Sequence, residues 1–213
     1  MKYHEYDELI ANNRKWALEL QAKDPEFFKT HALGQSPPYL FVGCSDSRKP
    51  VDQITQTAMG ELFIHRNVAN QISLTDMNFL SVLEYAVNVL KIKHIIICGH
   101  YGCGGVTAAY HGDATGLVEN WLMPIRDLYI QNREALHQLP EENDRINRLS
   151  EMSVIHQIKN LCCTSIMRNA FKSEIYPKIH AWVFAIDSGL IKELPLPEEE
   201  WKRKGILPEN WIN

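Results

Sequence analysis

A thiol, a carboxylate and a guanidinium lie within five residues of one another in the segment "GCSDSR" (43–48). Cys44, Asp46 and Arg48 occupy alternate positions there, directly after the apolar run "YLFV". A thiolate is a ligand for borderline-soft metal ions, and a guanidinium fork can hold a carboxylate through two hydrogen bonds. The segment therefore predicts a metal ligand, Cys44, beside a carboxylate that either binds the metal or pairs with Arg48.

A second fragment of this kind, "HYGCGG" (100–105), follows the apolar run "HIIICG". Ligand sites of open α/β sheets form beyond the carboxyl ends of the strands, so we expect Cys44, His100 and Cys103 to meet there. Two sulfurs and one imidazole suit Zn²⁺, which takes three protein ligands and a water in catalytic sites and four protein ligands in structural ones. Asp46 is the candidate fourth ligand of a closed site. Each fragment alone also fits buried thiols and a loop salt bridge, and their joint placement favours the metal.

The elements that must position these fragments are strands that alternate with helices. Strands are predicted at 37–43, 61–66 and 94–100, with a hairpin around a Ser-Gly turn at 178–194. Helices are predicted at 75–91, 117–139 and 146–171, the last two separated by a polar break at 140–144. This order predicts an α/β fold: a central, mostly parallel sheet of about four parallel strands plus one C-terminal antiparallel strand, flanked by helices.

One domain accounts for the whole chain, in three parts. We expect an N-terminal helical arm at 1–34, an α/β zinc core at 35–195 and a C-terminal tail at 196–213 that is either mobile or docked. The arm carries large apolar residues among charges, so it must dock on its own domain or on a partner subunit.

Composition narrows the class of protein. With 213 residues, 45% hydrophobic and 23% charged, the chain is expected to fold as a globular domain. A net charge of −4 offers no broad basic surface, so no nucleic-acid partner is expected. No apolar run is long enough to cross a bilayer and the start lacks the apolar core of a signal peptide, which predicts no membrane contact and a cytoplasmic location. Five cysteines without framework spacing favour metal binding or buried thiols over disulfides.

Four strings in the sequence resemble those of the β-class carbonic anhydrases. They are "CSDSR" (44–48), "GELFIHRNVAN" (60–70), "SVLEYAV" (81–87) and "HIIICGHYGCGG" (94–105), in the order found in that family. The resemblance that they carry covers roughly residues 35 to 110. The fold, activity and site residues of that family become expectations for this chain.

The resemblance implies reversible hydration of CO2 to bicarbonate and a proton by zinc-bound hydroxide, with one Zn²⁺ per chain. It assigns the metal to Cys44, His100 and Cys103, and a hydrogen bond from the hydroxide to Asp46 while Arg48 holds that carboxylate. Asp46 on the zinc would give a closed, inactive form. The residues that match the family's substrate pocket are Gln35, Phe63, Val68, Tyr85 and Gly104. Some of the pocket reaches across subunits in the family, which implies an obligate homodimer or a tetramer made of two such dimers, with the N-terminal arm packed on the partner subunit.

One departure from the family pattern concerns a second bicarbonate pocket. Some bacterial members build it from a tryptophan, an arginine and a tyrosine, and this chain has Phe41, Arg66 and Phe184 at those positions. We therefore expect weak or no bicarbonate inhibition through that pocket, and the Arg48-held form of Asp46 to predominate near neutral pH.

Two other functions stay open from the sequence. The same scaffold could hydrolyse CS2 or COS, and a non-catalytic, zinc-stabilised interaction protein would keep Asp46 as a permanent fourth ligand. Cys98, inside the predicted strand, is expected to be a buried thiol that strand alternation turns away from His100. His65 and His111 are candidates for carrying protons to buffer, although the sequence favours an ordinary surface or half-buried histidine at each position.

Overall fold

The computed structural model describes residues 4–212, and its centre is a five-stranded sheet. The strands are β1 (Tyr39–Cys44), β2 (Leu62–Asn67), β3 (His94–His100), β4 (Lys178–Ala185) and β5 (Leu190–Leu194). They lie in the order β2-β1-β3-β4-β5, with the first four parallel and β5 antiparallel to β4. The predicted fold class, including the C-terminal antiparallel strand, is confirmed.

Alternate residues of the strands bury opposite faces of the sheet, as the two-residue period of a strand requires. One face belongs to the main core, to which β1 contributes Leu40 and Val42. The other face carries a smaller group, here called the Phe41 cluster: Phe41, Val51, Ile96, Cys98 and Phe184. Every residue of β3 after His94 is buried, which explains its continuous apolar run.

Ten α-helices surround or precede the sheet in the described residues. They are α1 (Tyr6–Lys23), α2 (Phe27–Ala32), α3 (Val51–Thr55), α4 (Met77–Glu84), α5 (Gly104–His111), α6 (Gly116–Gln131), α7 (Arg133–Leu136), α8 (Glu142–Cys163), α9 (Ser165–Lys172) and α10 (Glu198–Arg203). Helix α8 packs on β3 and β4 along a buried stripe that includes Val154, Ile158 and Leu161. None of the helices in residues 4–212 is long and apolar enough to cross a membrane.

The structure divides the predicted helices differently in four places, one of which is Asn132, where the helix expected at 117–139 is interrupted between α6 and α7. The helix expected at 75–91 is α4 followed by a π-helical turn at Tyr85–Leu90, a geometry that sequence periodicity does not distinguish from α. Helix α8 begins at Glu142, inside the expected polar break, because acidic residues suit the first turn of a helix. The stretch expected to continue to 171 is interrupted at Thr164, whose hydroxyl accepts a hydrogen bond from the Met167 N–H and so starts α9.

The chain divides into two compact units at the Ser36–Pro37 bond. The first holds α1 and α2, as expected for a helical arm, and no side chain of either helix is buried. Within this unit Trp16 packs edge-on against Phe28, with ring centroids 5.6 Å apart. Packing of the arm on a partner subunit stays a prediction.

The last residues of the chain are docked on the main core. Trp201 of α10, Leu207 and Trp211 all belong to that core, so of the two alternatives for the tail the docked one holds. Large apolar side chains that leave water in this way stabilise the fold in proportion to the area they bury.

Trp211 and its neighbour Ile212 provide a matched test of this docking. Trp211 is 2% exposed and Ile212 is 78% exposed. We expect Trp211→Ala to lower the free energy of unfolding by about 3–5 kcal/mol, because it leaves a cavity, and Ile212→Ala to change it by less than about 0.5 kcal/mol. Urea unfolding of both variants measures this, and equal small effects would mean that the tail does not dock.

Candidate metal centre

The carboxyl ends of β1 and β3 bring the predicted ligands together. Cys44 is the last residue of β1 and His100 the last of β3, and the parallel register pairs Gly43 with Cys98. Cys103 directly precedes α5, after a turn in which Gly102 has φ = +63°, a conformation that glycine adopts without strain. The two Sγ atoms lie 3.9 Å apart, and the ligand atoms of Cys44, His100 and Cys103 all lie within 4.8 Å of one another.

The imidazole of His100 has one nitrogen committed to the backbone and one available. Its Nδ1 lies 3.0 Å from the carbonyl oxygen of Tyr101, which can only accept, so Nδ1 carries the proton. Nε2 therefore has a lone pair, and it is buried with no hydrogen-bond partner. A buried polar atom without a partner is costly unless something else binds it, and a lone pair aimed at two sulfurs is what a metal ligand requires.

The pKa values of the two thiols are shifted in opposite directions. The hydrogen bond from the Cys103 thiol, together with backbone groups of Asp46 and Ala69, holds the pKa of Cys44 well below its usual range despite burial. Donating that bond, together with burial, raises the pKa of Cys103. The two sulfurs share a hydrogen bond, and a metal has to displace its proton to bind both as thiolates.

The donor set fits Zn²⁺. With Zn–S bonds of about 2.3 Å and tetrahedral angles, two thiolate ligands stand about 3.8 Å apart, close to the 3.9 Å between the sulfurs here. Both cysteines are almost fully buried, in an apolar cluster that includes Ala69, Val106 and Leu122. Such surroundings keep competing water away from soft ligands.

Asp46 is held by Arg48 through a two-pronged ion pair. Arg48 Nε lies 2.9 Å from Asp46 Oδ1 and Arg48 Nη2 lies 2.6 Å from Oδ2, while the Arg48 N–H also donates to Oδ1 at 2.9 Å. These bonds hold the pKa of Asp46 well below its usual range, so it is a carboxylate at neutral pH. Its Oδ2 lies only 3.7 Å from His100 Nε2, which places the carboxylate beside the ligand group.

The predicted pocket residues lie in different places, and their roles stay predictions. Phe63 of β2 and Tyr85, the first residue of the π-helical turn, have ring centroids 5.9 Å apart. Val68 lies beside the first turn of α5, where a Cβ at position 105 would stand 3.2 Å from Val68 Cγ1, so a side chain there would push Val68 aside by a few tenths of an ångström. Gly104 follows Cys103 and has no atoms within 4 Å of where its Cβ would stand. Gln35 belongs to the N-terminal unit and is exposed.

The residues at the positions of the second bicarbonate pocket, where this chain departs from the family pattern, contact other parts of the protein. Phe41 and Phe184 are buried together in the Phe41 cluster. Arg66 donates from Nε to the Cys44 carbonyl at 2.8 Å and from Nη2 to the Asp46 carbonyl at 2.6 Å. Arg66 thus fixes the backbone that carries the ligand and the carboxylate.

Two predictions about single residues have mixed outcomes. Cys98 is fully buried, as expected, and burial raises its pKa. The expectation that strand alternation turns Cys98 away from His100 was wrong, because residues two apart in a strand point to the same face. His65 is buried and burial lowers its pKa, and a role for it in carrying protons to buffer stays a prediction.

Sequence reasoning missed Lys49 and Tyr101. Lys49 is 1% exposed and its Nζ lies 2.8 Å from the Cys98 carbonyl oxygen. Tyr101 provides the carbonyl that orients His100, and its hydroxyl donates to Glu151 at 2.6 Å. The only signal in the sequence was their position beside Arg48 and His100, since a lysine in a polar loop is ordinarily solvated.

Comparisons with known proteins agree with this geometry. The family model for carbonic anhydrase matches residues 39–191. A carbonic anhydrase of Emericella nidulans is 41% identical over 189 residues, which cover 89% of this chain and 83% of that protein.

Two solved structures are similar over nearly the whole chain. A tetrameric β-carbonic anhydrase from Sordaria macrospora superposes with a TM-score of 0.83 at 37% identity, covering 89% of this chain and 96% of that one. The Coccomyxa β-carbonic anhydrase in complex with acetazolamide gives 0.86 at 36% identity, covering 94% and 92%. The resemblance read from the four sequence strings is confirmed. With the Cys–His–Cys group at the strand ends, these matches show that the chain belongs to the β class of the carbonic anhydrase family and is an enzyme of that family.

Proposed function

We propose that the chain catalyses the reversible hydration of CO2 to bicarbonate and a proton at one Zn²⁺ per chain, bound by Cys44, His100 and Cys103. The observation that carries the proposal is the pairing of Asp46 with Arg48 beside the unpartnered Nε2 of His100. Three residues of the chain offer ligand atoms to the ion, while the candidate fourth ligand is held elsewhere. This is the pattern of a catalytic rather than a structural zinc site.

The ion, when bound, supplies a water molecule that is acidic enough to act as a nucleophile near neutral pH. The chain's own groups orient the attack. Asp46 can accept a hydrogen bond from the nucleophile because Arg48 keeps it ionised and its Oδ2 lies 3.7 Å from a ligand atom. The Arg48 fork leaves the carboxylate one orientation, so less order has to be created in the transition state.

The pocket chemistry that we propose suits an apolar gas. Val68, Phe63 and Tyr85 offer apolar surface, and Gly104 leaves room where a side chain would intrude. CO2 has no strong hydrogen-bonding groups, so it needs a small dry space more than polar contacts. Gln35 is the proposed polar residue of the substrate pocket.

Stopped-flow CO2 hydration at pH 8.5, with zinc analysis of the same sample, tests the proposal. We expect zinc near one per chain and hydration far above the rate in buffer. Zinc at that level without CO2 hydration would contradict the proposed activity and support a structural role for the zinc. Parallel assays with COS and CS2 test the alternative that the enzyme hydrolyses these substrates. Turnover of COS or CS2 without CO2 hydration would contradict the present proposal and support that alternative.

Bicarbonate inhibition provides a separate test. Phe41 and Phe184 lack the polar atoms that would bind the anion, and both side chains are buried in the Phe41 cluster. We therefore expect activity at pH 7.5 to show only simple product inhibition, with no cooperative loss as bicarbonate rises. A sigmoidal inhibition curve and a collapse of activity below pH 8 would contradict this.

We also propose self-association as an obligate homodimer or as a tetramer of two such dimers. The similar enzyme from Sordaria macrospora is described as tetrameric, which supports the larger assembly. Sedimentation equilibrium distinguishes two from four chain masses, and a monomer would contradict the proposal. Cytoplasmic localisation stays a prediction, which cell fractionation beside a cytosolic marker tests.

A further inference from the structure

Lys49 is a fully buried charged residue that the proposed chemistry does not use. It follows Arg48 directly and lies in the loop 45–50, between β1 and α3. Lysine is almost never buried completely unless its ammonium group is satisfied. Lys49 is also next to Arg48, the residue that holds Asp46, so its buried ammonium group can affect how that pair is placed.

Each proton of the Lys49 ammonium has an acceptor on β3. Nζ lies 2.8 Å from the Cys98 carbonyl oxygen, 3.3 Å from the Gly99 carbonyl oxygen and 3.3 Å from Cys98 Sγ. An ammonium group has three donors, so this set satisfies it completely. The face of the Phe41 ring lies 5.5 Å from Nζ and adds a cation–π contact. Among the described residues Lys49 forms no ion pair, so these neutral groups are its anchorage.

The acceptors stand immediately before His100 on the same strand. Lys49 therefore ties the loop that carries Asp46 and Arg48 to the strand that carries a metal ligand. The backbone of the loop is tight at the same point, because the Lys49 N–H donates to the Asp46 carbonyl at 3.2 Å. The other side chain of the loop that reaches past β3 is Arg48, whose Nη2 lies 3.3 Å from the Gly102 carbonyl oxygen.

Small movements of this loop have large chemical consequences. Asp46 Oδ2 is 3.7 Å from His100 Nε2, so a shift of about one ångström decides whether the carboxylate pairs with Arg48 or approaches the ligand group. Carboxylates are zinc ligands, so a loop that is free to move can close the site. Arg48 is half exposed and contacts the turn after β3 only through the Gly102 carbonyl oxygen, while Arg66 holds the Asp46 carbonyl oxygen from β2 at 2.6 Å.

We infer that Lys49 is a positioning residue that pins the loop 45–50 to the end of β3 and so keeps Asp46 on Arg48 and off the metal. The inference rests on the proposed function for its effect on turnover, and on contacts of this chain for its effect on structure. Lys49 touches neither the ligand atoms nor the proposed substrate pocket, so it acts through Arg48 and Asp46.

The variant Lys49→Met tests this, because methionine fills similar space without the ammonium group. We expect zinc content to stay near that of the wild type, kcat for CO2 hydration to fall about 10- to 100-fold and KM to change little, since the lost contact orients a catalytic group. Lys93→Met, at an exposed lysine just before β3, is the matched control and is expected to keep wild-type kcat.

A double-mutant cycle separates positioning from general destabilisation. In an Arg48→Ala background the Asp46–Arg48 pair is already broken, so adding Lys49→Met should lower kcat by less than about twofold further. Wild-type kcat in Lys49→Met, or losses that multiply in the double variant, would overturn the inference. If Lys49→Met does not fold, Lys49→Gln, which keeps donors on a shorter side chain, takes its place with a smaller expected loss.

Crystal structures of zinc-loaded wild type and variant give a readout that does not depend on activity. We expect the two-pronged Asp46–Arg48 contact in the wild type and its loss in Lys49→Met. An intact contact in the variant would overturn the inference about Lys49. Absence of CO2 hydration by the wild type would instead contradict the proposed function, and the crystal structures would still decide the role of Lys49.

Discussion

Replacing Cys44 by serine is expected to remove zinc and to abolish CO2 hydration together. Cys44 Sγ lies 3.9 Å from Cys103 Sγ and belongs to one ligand group with Cys103 and His100. A serine hydroxyl does not ionise near neutral pH and is a poor ligand for a borderline-soft ion, so two of three protein ligands would remain. We expect zinc to fall from about one per chain to near zero and activity to fall by a factor of about 1000 or more, because the attacking water loses its acidity.

Zinc analysis after gel filtration in the presence of a weak chelator measures this change. Cys163→Ser is the matched control, because Cys163 is a partly exposed free cysteine outside the ligand group. The control should keep both zinc and activity. A Cys44→Ser protein that retains stoichiometric zinc would show that Cys44 is not a ligand, and the proposed centre would be wrong.

Replacing Arg48 by alanine is expected to lower turnover, as the Cys44 variant does, but to leave the zinc content unchanged. Arg48 contributes no ligand atom, and its Nε and Nη2 hold both oxygens of Asp46. Without this fork the carboxylate loses its orientation and can bind the ion itself, as a fourth protein ligand would in a structural site. We expect kcat to fall by about 100-fold, the usual size of the contribution from a positioned acid or base.

The conservative variant Arg48→Lys sharpens this second prediction. A lysine restores the charge but not the planar fork, so it should recover only part of the lost kcat. Arg203→Ala, at an exposed arginine of the C-terminal segment, controls for the loss of an arginine and should be neutral. Full activity in Arg48→Ala would mean that the Asp46–Arg48 pair has no part in turnover. Loss of zinc in that variant would mean that Arg48 supports the ligands rather than the carboxylate.

The sheet and the metal group could be predicted because their signals are local and strong. The runs before Gly43 and Gly99 are apolar throughout, which is typical of strands buried on both faces. Cys44 and His100 follow these strands directly, and parallel strands place their carboxyl ends at one edge. Knowing that two strands are parallel neighbours was therefore enough to bring residues 56 positions apart into one site, as the structure has them.

Other features depend on contacts that no short stretch of sequence records. Lys49 lies in a polar loop, and its burial follows from the Cys98 and Gly99 carbonyls that face it across the sheet end. The docking of Trp211 depends on a surface made by other elements of the core. The π-helical turn that begins at Tyr85 has the apolar pattern of an ordinary helix, so only the backbone geometry distinguishes it.

The most direct test of the account is a crystal structure of the zinc-loaded protein at pH 8. In the proposed centre Arg48 keeps Asp46 away from the metal, so that only Cys44, His100 and Cys103 bind it from this chain. We expect an Asp46–Arg48 contact like that seen here, with both Asp46 oxygens beyond bonding distance of the zinc. An Asp46 oxygen about 2.0–2.2 Å from the zinc would contradict it, because that is the bond length of a carboxylate ligand.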